Sequence, residues 1–517
     1  MNYKDLPQKE LEKWFKNISF PVHPFKHQLS SMAFTLGESL TKTAYLHDIG
    51  TGKTLTAIYT LKCWNPRGKI LIVCPGSIIQ SWSNEIQKVT SFKPIILTGE
   101  RESRKRLLSS RNRVFIINYE GLRILFMKNN PYKMKRNSAK KIVDWDAIKA
   151  FGAEAIVFDE SHRVKDVRTQ QSKTARALSS RSRYSIIMSG TPVGRSIIDL
   201  FSQFLILDGG ITLGDNLMDF LNTYFYKTYF DWIPKRICNI CGEWYDKKKE
   251  HLKSHNISLE DYRKKHGKEF TTEKVILDRI GERCIRFSKE ECLDLPEKTY
   301  SQRYVNLTEE QTKEMKQALS ELPGEITLNN LETSIQKLIE ITGGFVLIDK
   351  KPIRFKSNPK IRELENILPE ISKKCIIYHY YVYESKLISE SLARNDKKFS
   401  VINGTIPLEK RNIEIQKFLE DPKVQFLVAH PKVGGEGLNL QIASTIVYYS
   451  RGFIGYILRQ QSEGRIHRVG QTNSCHFIDI IMENSIDQIL YEGLMEKDSK
   501  FQKVLQYLLN TKKHKNG

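Results

Sequence analysis

The run His47-Asp48-Ile49-Gly50-Thr51-Gly52-Lys53-Thr54 opens onto a stretch of apolar residues at helical spacing. Glycines placed this way let the backbone curl until its N–H groups converge on phosphate oxygens, and the helix that follows adds the partial positive charge of its N-terminus. In that geometry Lys53 reaches the β- and γ-phosphates and Thr54 offers a hydroxyl to magnesium. A second pattern, Ala155-Ile156-Val157-Phe158-Asp159-Glu160-Ser161-His162, reads as a buried strand that delivers two carboxylates at its end. Asp159 there can hold the magnesium shell while Glu160 orients and deprotonates an attacking water. Taken alone, such a pair is also what a solvated helix start looks like. Ser189-Gly190-Thr191-Pro192 closes the next apolar run, either as a plain turn or as a hydroxyl hinge beside the nucleotide. Far downstream, Arg465 and Arg468 lie three apart in QQSEGRIHRVGQ. That spacing puts both guanidiniums on one side of a helix, where they can stabilise a transferring phosphoryl group or simply lie on solvent or nucleic acid.

Another constellation has metal-ligand spacing. Residues 238–255 read CNICGEWYDKKKEHLKSH, that is Cys238-x2-Cys241-x9-His251-x3-His255. Two thiolates from a knuckle and two imidazoles one helical turn apart can close a tetrahedron around a structural zinc ion. The spacer of nine is shorter than the usual twelve, which leaves His266 or a later cysteine as a spare ligand. Such a module either staples an insertion too small for its own core or contacts DNA or a partner; a capping box at Ser258-Leu259-Glu260-Asp261 would start its next helix. The other six cysteines read as free thiols.

Elements must hold these residues in place. Short runs rich in Ile, Val and Phe recur at 70–75, 114–119, 155–160 and 184–190, with amphipathic stretches between them such as 77–88, which Ser77 could cap. The same rhythm returns at 375–381, 399–404, 424–430, 444–450 and 475–481, with helices expected at 384–394 and 407–419. Buried strands alternating with helices imply doubly wound parallel sheets. The predicted architecture is therefore α/β, with two doubly wound parallel-sheet lobes and a small helical, zinc-binding insertion between them. Residues 1–205 form the first lobe, 206–300 the inserted module with its finger at 236–268, 301–500 a helical lead-in and the second lobe, and 501–517 a basic tail. A length of 517 residues suits about three domains.

Charge points to the partner. The 82 Lys and Arg exceed the 59 Asp and Glu by 23. Residues 101–141 alone carry 13 Lys and Arg against Glu102 and Glu120, a local excess of 11. Such an excess asks for a polyanion, although a solvated basic surface would share the same composition. No apolar run reaches the ~20 residues needed to span a bilayer, and the N-terminal residues lack a signal-peptide core, so a cytoplasmic, nucleoid-associated protein without a membrane partner is expected.

Taken in order, these segments resemble the superfamily 2 helicase-like ATPases, specifically their Swi/Snf-like branch of DNA translocases, in a compact bacterial or phage form. The resemblance covers about residues 20–205 and 340–490. HPFKHQ looks like the family's adenine-reading element, with Gln28 the matching glutamine, and VCPGSIIQSWSNEI carries Pro75, Trp82 and Glu85 in the usual places. GEGLNL at 435–440 together with GRIHRVGQ separates this branch from the DEAD-box RNA helicases. Departures are His47 where a P-loop usually has glycine, DESH in place of DEAH, and Arg459-Gln460 ahead of the matching Gln461.

The resemblance implies an ATP-dependent motor with two RecA-like lobes. Gln28 would read adenine, Gly50, Thr51, Gly52, Lys53 and Thr54 would hold phosphate, Thr54 and Asp159 would ligate Mg2+, and Glu160 would activate water. Arg465 and Arg468 would complete the site from the second lobe, while His162, Ser189, Thr191, Gly437 and Gln461 would couple nucleotide state to movement. Duplex or branched DNA, bound without sequence preference, is the expected track, with replication or recombination proteins as possible partners. Two other readings stay open: a helicase that separates DNA or RNA strands, and a zinc-finger DNA-binding scaffold with a dead ATPase fold. The second is opposed by the presence of Lys53, Asp159, Glu160, Arg465 and Arg468 together.

Overall fold

The computed structural model describes residues 2–129, 141–193, 196–227, 232–237, 244–245, 270–292, 295–321, 328–434, 440–452 and 456–495. The chain divides into two compact units, Met1–Cys292 and Leu293–Gly517.

The first unit is built on seven strands: β1 (Lys42–Tyr45), β2 (Lys69–Cys74), β3 (Ile95–Ile96), β4 (Val114–Asn118), β5 (Ala153–Asp159), β6 (Tyr184–Met188) and β7 (Cys284–Ile285). They lie in the order β7-β1-β6-β5-β2-β4-β3, every pair parallel. Strand side chains alternate between the two faces, and here both sets are apolar. Leu71, Val73, Phe115, Ile117, Ile156 and Phe158 feed one core cluster. Ile70, Ile72, Val114, Ile116, Ala155 and Val157 feed the other. A sheet greasy on both faces needs helices on both, which is why its strands read as continuous apolar runs.

In the second unit, β8 (Lys298–Val305), β9 (Cys375–Tyr378), β10 (Phe399–Ile402), β11 (Phe426–Ala429), β12 (Thr445–Tyr448) and β13 (Cys475–Met482) form a second all-parallel sheet, ordered β8-β13-β12-β9-β11-β10. Ile377, Phe426, Val428 and Ile478 face one cluster, and Ile376, Leu427, Ile446 and Phe477 the other. The helices expected at 384–394 and 407–419 are Val382–Arg394 and Leu408–Glu420.

Three local expectations change. Residues 206–300 are not wholly a separate module, because Cys284–Ile285 joins the first sheet beside β1 and Lys298 begins the edge strand of the second. Ser77 lies inside the short 3-10 turn Gly76–Ile78 and not at the position just before the α-helix, which starts at Ile79. Arg465 and Arg468 do not share a helix, since that helix ends at Glu463 and a turn follows through Gly464.

Candidate functional site

In an open parallel sheet, ligands gather beyond the carboxyl ends of the strands. Tyr45 pairs with Met188, and Met188 with Asp159, so β1, β6 and β5 end level with one another. Their three following loops carry the Lys53 run, Ser189-Gly190-Thr191 and Asp159-Glu160.

The first loop is curled as its glycines foretold. Gly50 and Gly52 take φ of 90° and 81°, a region that excludes most side chains, and Gly52 caps the helix Lys53–Trp64. Lys53 Nζ donates to the carbonyls of His47 at 2.8 Å and Asp48 at 3.0 Å, so the loop is wrapped around its own ammonium. Gln28 accepts from Phe25 N at 2.8 Å and donates to Gly52 O at 3.1 Å, and His27 Nε2 donates to Thr51 O at 2.7 Å. Both side chains therefore brace the loop from the helix Lys26–Gly37.

His47, the departure from the usual pattern, is fully buried. Phe287 N donates to its Nδ1 at 3.2 Å, which leaves Nε2 to donate to Ser31 Oγ at 2.9 Å. Burial, with the Lys53 charge second, holds its pKa well below the ordinary histidine value, so the ring is neutral packing between loop, helix and the returning chain at Phe287.

Asp159 is also buried. Trp82 Nε1 donates to its Oδ2 at 2.8 Å, Glu160 N to its Oδ1 at 2.9 Å, and Tyr119 Oη to its backbone carbonyl at 2.8 Å. Burial, then the neighbouring Glu160 charge, push its pKa up to about 6, against the pull of Trp82 and Lys53. Glu160 takes a left-handed backbone (φ 53°, ψ 52°), a strained conformation for a side-chain-bearing residue. Its Oε2 lies 3.3 Å from His162 Nδ1, which is 3.2 Å from Ser189 Oγ, and that hydroxyl accepts from Thr191 N at 3.2 Å. His162, Ser189 and Thr191 are thus joined to the carboxylate pair in one chain of contacts. A Cβ on Gly190 would run into Ile49 Cγ1 and meet Lys53 Nζ at 3.2 Å, so the third loop packs directly on the first.

One participant was not legible beforehand. Gln203, buried in the helix Asp199–Asp208, accepts from Ser161 Oγ at 2.7 Å and donates to Pro192 O at 2.7 Å. It ties the carboxylate turn to the hydroxyl turn, and its only sequence signal is a polar residue in an apolar helix.

In the second unit, Gln461 and Arg465 are buried and Arg468 is half-buried. Gln471 shapes this turn by donating to Gln441 O, Ala443 O and Ile466 O at 2.9, 2.9 and 3.2 Å. Ahead of it, Arg459 donates to both oxygens of Asp479 at 2.7 and 3.2 Å and to Glu463, which also accepts from Tyr300 Oη at 2.9 Å. The Arg459 departure therefore pins the helix Tyr456–Glu463 to the sheet through β13. Gly437 lies outside the described residues, as do Cys238, Cys241, His251, His255 and the expected helix start at 258–261. Among the described residues no group of three or more His, Cys, Asp or Glu gathers as a metal would require.

Residues 43–342 match the SNF2-related domain and residues 359–470 the helicase conserved C-terminal domain. The chain belongs to the SNF2-related family of helicase-like ATPases. Among curated proteins it is similar to the chromodomain-helicase-DNA-binding protein 1-like of Mus musculus, 21% identical over 87% of this chain and 46% of that protein. It is also similar to the uncharacterized ATP-dependent helicase MG018 of Mycoplasma genitalium, 23% identical over 89% of this chain and 40% of that protein. The chain spans about half the length of the curated relatives it matches. A solved structure, the Sulfolobus solfataricus SWI2/SNF2 ATPase core in complex with dsDNA, aligns over 96% of both chains at 18% identity with a TM-score of 0.39.

Proposed function

We propose that this chain is an ATP-driven DNA translocase whose nucleotide site is the loop cluster at the ends of β1, β5 and β6. The observation that carries the reading is the convergence of Lys53, the Asp159-Glu160 pair and the Ser189-Gly190-Thr191 turn, with the Gly190 Cβ position 3.2 Å from the Lys53 amine. The donor set fits a nucleotide with a hard divalent cation: a curled backbone with a lysine at a helix start, a hydroxyl at Thr54, and a carboxylate oriented by an indole N–H. Lys53 would leave its two loop carbonyls for phosphate oxygens. Thr54 and Asp159 would hold Mg2+, whose charge would offset that of the transferring phosphoryl group. Glu160, fixed in its strained conformation, would take the proton of the attacking water, and His162 would relay its state to Ser189 and Thr191. Arg465 and Arg468 of the second unit would supply the remaining positive charge.

Duplex or branched DNA is the proposed track, supported by the excess of 23 positive charges and by family membership. The cysteine and histidine module is proposed to bind structural zinc. In its support, Ile237 and Trp244, which bracket both cysteines in the sequence, pair in antiparallel register.

The test is ATPase turnover of wild type and Glu160→Gln without nucleic acid and with single-stranded DNA, duplex DNA, forked DNA and RNA. Duplex-stimulated turnover in the wild type is expected, falling about 100-fold or more in the variant. Turnover indifferent to DNA, or untouched by Glu160→Gln, would remove the reading.

A further inference from the structure

The second unit carries a feature that the nucleotide site does not use. Phe345–Ile348 and Lys351–Arg354 form a two-stranded antiparallel hairpin, with Ile348 paired to Lys351 across a two-residue turn. Its base is fixed in a core: Phe345, Val346 and Phe355 are buried, Phe345 lies 5.6 Å from the Tyr381 ring and 5.1 Å from that of Tyr383, and Leu347 N donates to Glu340 at 3.3 Å. Beyond the base all eight residues from Leu347 to Arg354 are exposed, including Leu347 at 45%, Ile348 at 53% and Ile353 at 50%.

Two properties choose the occupant. The first is that both faces of the hairpin are apolar. Side chains alternate along a strand, so Leu347 and its partner Pro352 lie on one face while Ile348 and Ile353 lie on the other. Apolar on both faces, the exposed blade can stand between two surfaces at once. The second is its charge. Lys350, Lys351 and Arg354 accompany the apolar residues, against Asp349 alone. Arg354 also reaches Glu390 at 3.3 Å. The turn residues Asp349 and Lys350 both have positive φ, 49° and 63°, where Asn-Gly is the usual choice, so the tip displays a lysine from a conformation lysine disfavours. Apolar side chains flanked by cations match the chemistry of a terminal base pair, whose flat face is apolar and which is flanked by backbone phosphates.

We infer that the 345–354 hairpin is a wedge that inserts at a branch point in DNA, where its apolar tip enters the stack at the last base pair and unstacks it while Lys350 and Lys351 reach the two diverging backbones. The inference rests on the proposed action on DNA and narrows it to a preferred structure, the fork. The tip lies outside the catalytic and nucleotide-binding residues, so the wedge and the motor are separable.

The experiment uses the full chain and a forked duplex with 2-aminopurine at the junction, a probe that brightens on unstacking. Wild type without ATP is expected to raise the junction signal severalfold and to leave a probe in the duplex interior unchanged. Leu347→Ser/Ile348→Ser/Ile353→Thr changes only exposed side chains, and it should lose most of the junction signal while keeping its melting temperature and its ATPase stimulation by plain duplex. A junction signal equal in wild type and variant would overturn the wedge. So would a wild type that self-associates through this hairpin and becomes monomeric in the variant, because the apolar tip would then be an interface between copies. If plain duplex fails to stimulate the wild-type ATPase, the proposed function falls; if it stimulates and only the junction signal is missing, the wedge alone falls.

Discussion

Glu384 shows how much one buried carboxyl can govern. It stands in the first turn of the helix Val382–Arg394 and accepts from the backbone N–H groups of Tyr380 and Tyr381, both at 2.9 Å, and from the Ser450 hydroxyl, so it joins the loops that follow β9 and β12. Burial raises its pKa to about 7, outweighing these hydrogen bonds and the attraction of Lys360. In the unfolded chain the same group titrates in the ordinary glutamate range. As pH rises from there the unfolded state loses its proton first, so the native state binds more protons and stability falls until the native group has also ionised near pH 7. The loss over that window is on the order of 3 kcal/mol. Glu384→Gln keeps an acceptor oxygen and cannot ionise. Urea denaturation of both proteins at pH 5 and pH 8 should show wild type losing stability relative to the variant as pH rises. A constant difference between the two would mean that Glu384 does not titrate in this range.

At the scale of elements, what the sequence reveals depends on how many faces an element buries. β2, β4 and β5 are apolar on both faces and were legible as strands, and with β5 the two carboxylates at its end. β8 was not legible: in KTYSQRYV no residue is fully buried, because the strand has a partner on one side only and alternates without an apolar face. β7 is two residues long and reaches its sheet only by a return from residue 284, which no local pattern announces. The turn holding Arg465 was read as helix because its spacing is helical, whereas Gly464 and the Gln471 amide determine the fold there. The proposed zinc module belongs to the same scale. Strands 236–237, 244–245 and 270–271 make a three-stranded antiparallel sheet too small to bury a core, and it needs a further constraint. One equivalent of zinc per chain is expected by metal analysis, lost in Cys238→Ser together with part of the protein's resistance to proteolysis. A zinc-free protein with the same resistance would remove the metal from the account.

For the whole molecule the decisive quantity is where the excess charge can meet phosphate. The block at 101–141 is less available than its excess of 11 suggests. Arg104 is buried and donates to Gly99 O at 2.7 Å and to Leu97 O; Arg113 donates to Pro66 O and lies 5.0 Å from the Phe92 ring; Arg101 pairs with Asp144 at 3.0 Å. These arginines hold the first unit together. Arg106, Arg111 and Arg123 are exposed and can take phosphate. Each phosphate contact releases condensed counterions and steepens the dependence of log K on log salt by about 0.9. If the three exposed arginines all contact DNA, replacing them with alanine should flatten that slope by about 2 to 3 between ~50 and ~200 mM salt, with the melting temperature unchanged. Arg104→Ala should do the reverse, lowering the melting temperature and leaving the slope of the folded fraction as it was. Duplex binding followed by fluorescence anisotropy across that range separates the two, and a slope indifferent to Arg106, Arg111 and Arg123 would remove these three arginines from the proposed DNA-holding surface.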